Sequence, residues 1–79
     1  MQERIDQLRL AKALQGDISD LVRALDAAST RADVEAEAAL QIEHIHGLET
    51  TRKLRAADAE TLYIIFDDAV QARLQALAD

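Results

Sequence analysis

Proline is absent from this chain and glycine occurs only twice, at Gly16 and Gly47. A chain with so few breakers has little means of interrupting a helix. Alanine and leucine are abundant, joined by Arg, Gln, Glu and Asp, all compatible with helix and most of them good formers. Aromatic residues make up only 3% of the sequence, which argues against a sandwich or barrel. The fold class expected is all-α.

Seventy-nine residues predict a single helical domain, 1–79, with a small core. Such a core supplies about 3–5 kcal/mol without a staple. There is no cysteine, so neither a disulfide nor a thiolate metal site is open to this chain. Stability must come from helix packing or from a second chain.

Apolar residues then set the elements. Ile5, Leu8, Ala11, Leu14, Ile18, Leu21, Leu25 and Ala28 recur in steps of three and four, one face of a helix. The stripe keeps its phase across Gly16, predicting one helix over 2–28, bent at most at that glycine. Thr30 with Asp33 three residues on resembles a capping box. A second stripe, Val34, Ala38, Ile42 and Ile45, predicts a short helix over 31–46. Beyond Gly47 the stripe loses phase: continuation would bury Thr51, Arg52 and Arg55 while Leu54 points away. A third helix is predicted over 51–78, carrying Leu62, Phe66, Val70, Leu74 and Leu77.

Short connections imply a small antiparallel three-helix bundle, with a long helical hairpin as the alternative. The outer helices would span about 40 Å and the middle one about 24 Å. A middle helix so short leaves an apolar groove open, and "LYIIF" is apolar on every side. Completion by a homodimer follows as an expectation, with Leu62, Tyr63, Phe66, Val70 and Leu74 at the oligomer or partner-helix interface. Phe66 reads as core; Tyr63 is open between core and interface.

"EHIHG", residues 43–47, is the stretch that most resembles chemistry. His44 and His46 lie about 200° apart on a helix and cannot grip one ion together. Glu43 and His46 share a face, as in the Glu-x-x-His pairs of di-metal bundles. The glutamate a neighbouring helix should add is missing, and the pair falls off the apolar stripe. The simpler reading makes Gly47 the left-handed residue of a Schellman stop, with Leu48 packing back on Ile42. Histidines near a helix end keep a pH response open. Neither a metal nor another cofactor is expected.

No nucleophile–base arrangement or phosphate loop occurs, so an enzyme is not expected. The formal net charge is −6, which disfavours direct binding to nucleic acid or to an anionic membrane. The first residues, "MQERIDQLRL", lack an apolar leader core, and a cytoplasmic location is the default. Acids concentrate in the middle, where Asp26, Asp33, Glu35, Glu37 and Glu43 are opposed only by Arg23 and Arg31 between Asp17 and Glu49. Such a face gains on-rate and orientation against a basic partner. The function expected is therefore protein–protein interaction. Its sharpest form is an inhibitor, of the phage or accessory-gene type, that occludes a basic surface of a target protein, whether or not that surface binds nucleic acid. The alternatives are an adaptor or secretion-type cochaperone holding a partner helix in an apolar groove, and a ferritin-like metal protein using Glu43 and His46.

Overall fold

A computed structural model of the chain describes residues 1–78 and contains four α-helices: α1 (Gln2–Asp6), α2 (Lys12–Ala27), α3 (Arg31–Thr50) and α4 (Ala56–Leu77). Residue 79, the last of the expected domain, lies outside the described residues. The all-α class is the one observed, with one helix more than the stripes imply. Helices α2, α3 and α4 make the body of the bundle, 39 × 22 × 19 Å overall, and α1 folds back onto α4.

The extra helix comes from a break that no breaker residue announces. Gly16 lies inside α2 with open space around it. The chain instead reverses at Arg9, whose φ is 52°. This bend turns Ile5 and Leu10 inward, where both are buried in the main core. A straight helix over 2–28 would carry Ile5 past the end of the bundle. Apolar burial is worth about 1.5–3 kcal/mol per large side chain, against about 1–2 kcal/mol for one left-handed non-glycine residue. The bend wins.

The second difference concerns Gly47. It lies within α3, which continues to Thr50, and its φ is not positive. The hydroxyls of Thr50 and Thr51 donate to its carbonyl at 3.2 and 2.7 Å. The Schellman stop exists, but five residues on. Arg52 takes the left-handed position with φ 60°, Lys53 N–H donates to the Leu48 carbonyl at 2.9 Å, and Arg52 N–H to Glu49 at 3.1 Å. Leu48 and Leu54 are buried together across this turn, and α4 starts at Ala56, later than the expected 51. The loss of phase in the sequence is real; its site is residue 52.

These corrections lengthen the middle helix to 20 residues, about 30 Å, against 22 residues in α4. It covers the length of its neighbours, so the shortness from which a second chain was inferred is absent. Leu62, Ile65, Phe66 and Val70 are all buried within the chain. The α3–α4 pair is the most extensive contact, with α2 laid across both. Thr30 caps α3 as its spacing implies, its Oγ1 accepting from Asp33 N–H at 3.1 Å.

Candidate interaction surfaces on the two flanks of the third helix

Helix α3 buries Val34, Gln41, Ile45 and Leu48. The buried line therefore runs through a glutamine, and Ile42, about 80° around from Val34, stands at the edge with 58% of its surface exposed. Each flank of that line borders a depression, one towards α2 and one towards α4.

On the α2 side, small residues let the helices approach and leave a shallow crease. One part, about 330 Å³, lies among Ala24, Ala27, Ala28, Ala36, Asp33 and Glu37. The other, about 540 Å³, is bordered by Leu21, Leu40, Glu43, His44 and Gly47, with Lys53 at one end. Leu40 is 51% exposed there. Ion pairs join Arg4 to Asp68, Arg23 to Asp20, Arg31 to Glu35 and Arg55 to Asp58; among the described residues Asp33, Glu37 and Glu43 have no such partner. The expected acidic face is thus only partly assembled. Asp33, Glu37 and Glu43 border the crease, Glu35 turns about 200° from Asp33 and pairs with Arg31 at 3.0 Å. Asp26 is exposed but lies about 140° around α2 from Leu21, away from the crease.

On the α4 side lies a groove of about 410 Å³. Phe66 and Val70, both buried, form part of its wall together with half-buried Tyr63. Ile42 and Ile64, exposed by 58% and 51%, stand over it, and Asp67 and Asp68 border it. Of the five residues expected at an apolar interface, Tyr63, Phe66 and Val70 line this groove. Leu62 is fully buried in the core, and Leu74 packs half-buried against Leu25, Val34 and Val70. Sequence reasoning missed Gln41, Leu40, Ile64 and Asp67. Only Ile64 carried a signal, since an all-round apolar run has one residue too many for a single core.

The histidine stretch holds no assembled metal site. Glu43 and His46 are exposed, and among the described residues no group of three or more His, Cys, Asp or Glu side chains is placed to hold an ion. His44 is half-buried, with Nε2 sealed from solvent and without a hydrogen-bond partner. No helix among the described residues is long and apolar enough to cross a membrane. Comparison with protein-family models, with curated proteins and with solved structures finds no match to this chain.

Proposed function

We propose that this chain is a non-enzymatic, cytoplasmic interaction protein whose α2–α3 crease docks on a basic surface of another protein. One observation carries the reading: Asp33, Glu37 and Glu43, carboxylates without ion-pair partners among the described residues, stand beside half-exposed Leu40 along one side of α3. Carboxylates free of internal partners are available to an external cation, and an apolar contact among them adds affinity that salt cannot screen. The excess of acid over base, −6 overall, attracts a basic partner to the chain, and the unpaired carboxylates orient it on this side. In its sharpest form the protein is an inhibitor. Where the target uses its basic surface to hold nucleic acid, the crease competes with phosphates for the same lysines and arginines.

The test is capture of the partner from the native host by the wild-type chain and by Glu37→Lys/Glu43→Lys, followed by mass spectrometry. The wild type should retain a basic protein that the double variant loses. That protein should also release its nucleic acid when the wild-type chain is added. Retention by the double variant, or binding undiminished at about 1 M salt, where the screening length is about 3 Å, would overturn the reading.

A further inference from the structure

The groove on the other flank of α3 carries an inference of its own. We propose that it is the docking site for a basic amphipathic helix of a partner protein. Three independent features of the groove define that occupant.

The first is shape. The lining runs from Ala38 to Ile45 on α3 and from Tyr63 to Val70 on α4, about two turns along each helix. A trough of that form suits a third helix laid lengthwise, with Ile42 and Ile64 clasping its apolar side chains. Both isoleucines are half-exposed, although the same helices bury their neighbours Ile45 and Ile65 completely or nearly so.

The second is Gln41. It is 1% exposed, it lines the groove, and its Nε2 has no hydrogen-bond partner. A buried amide donor left unmade is a standing cost of folding. Because Nε2 is sealed in the free chain, an occupant removes this cost only by presenting an oxygen, of a hydroxyl, an amide or a carbonyl, to which the Gln41 side chain turns. A purely apolar occupant does not.

The third is charge. Asp67 is exposed at the rim without an ion-pair partner among the described residues, and its neighbour Asp68 is held by Arg4 at 3.0 Å. Lysine or arginine flanking the partner's apolar stripe complements this rim. A second copy of the chain fits it poorly, because two grooves face to face would oppose their own aspartates on molecules that each carry −6. An anionic lipid surface is repelled on the same grounds.

Tyr63 reports on the site, because the chain has one tyrosine and no tryptophan. The probe is a synthetic helical peptide with leucine and one central asparagine on one face and lysine elsewhere. It is compared with a scrambled peptide of the same composition and with a leucine–glutamate version. The Leu/Lys peptide should change Tyr63 fluorescence saturably and shift the Gln41 side-chain amide signals in NMR spectra. Ile42→Ser and Ile64→Ser, at exposed positions whose fold thermal melting would verify, should each weaken it about tenfold. Asp67→Asn should weaken it a few-fold and flatten its salt dependence. Glu37→Lys, on the opposite flank, should leave the groove signals in place, which separates this proposal from the crease. Equal binding of the scrambled or acidic peptide would overturn it, as would shifts confined to Leu40 and Glu37. Groove shifts that grow with protein concentration in the absence of peptide would overturn it in favour of a second copy.

Discussion

At position 47 the chain carries a glycine inside an α-helix, and among the described residues nothing beyond its chain neighbours and the local helix backbone lies within 4 Å of where a Cβ would sit. At position 52 it carries an arginine in the left-handed conformation that glycine adopts freely. The two residues are in each other's natural places. Gly47→Ala should therefore stabilise the protein by about 1 kcal/mol, raising the melting temperature by about 4–8 °C. Arg52→Gly should act in the same direction by about 1 kcal/mol. A lower melting temperature for Gly47→Ala would place Gly47 at a helix stop after all. The local sequence could not decide between these sites, because glycine is tolerated in one and favoured in the other. The decision lies with Leu48 and Leu54, which reach the same core only if the helix runs through residue 47 and reverses at 52. Gln41 was illegible for a related reason: a polar residue at the centre of a buried line looks, in sequence, like a gap in the stripe.

Among the elements, the connection from α2 to α3 shows which signals are local. The cap at Thr30 was legible because its donor is three residues away. The end of α2 was legible as well, since the expected 28 falls one residue past Ala27, but the group that satisfies it was not: Arg73 Nε and Nη2 donate to the Ala28 carbonyl at 3.0 and 2.7 Å, across 45 residues of chain. Arg73→Met, which keeps most of the aliphatic stem, should cost about 1.5–3 kcal/mol in urea denaturation. Arg31→Met breaks only an exposed pair with Glu35 and should cost less than about 0.5 kcal/mol. Equal effects would mean that Arg73 is no more than a surface charge. Helix α1 makes the same point from the other side. Its five residues fall well short of the ~12–15 that an isolated helix needs, so it exists through Ile5 in the core and Arg4 on Asp68. Within residues 7–11 only Leu10, an apolar residue off the stripe, marks the bend, and the core it enters explains it.

For the molecule as a whole, class and partial patterning were readable, while the division between core and free surface was not. "LYIIF" contains both. Leu62 is fully buried and Ile64 is 51% exposed, although they are two residues apart and chemically alike. Leu62→Asp should abolish cooperative thermal unfolding by circular dichroism, since an unpaired buried carboxylate costs as much as the ~3–5 kcal/mol that a core of this size supplies. Ile64→Asp should leave the fold intact and affect the groove alone. Intact unfolding for Leu62→Asp would reverse the assignment of the two positions. The candidate surfaces were legible as chemistry, acid on one side and an excess apolar run on the other. Their residues were not, because a flank of α3 is defined by which helix lies beside it. The turn at Arg52 also bears on time as well as shape. It joins the two helices that share the most extensive contact through a five-residue connection, 51–55, so their pairing closes a short loop at small entropic cost. Folding should start there: Ile45→Val, in the α3–α4 hairpin, should slow refolding in stopped-flow chevrons, whereas Ile5→Val should mainly hasten unfolding. If α1 arrives last, the protein should open at that end first, and amide hydrogen exchange should be fastest around the exposed contact that holds Arg4 to Asp68.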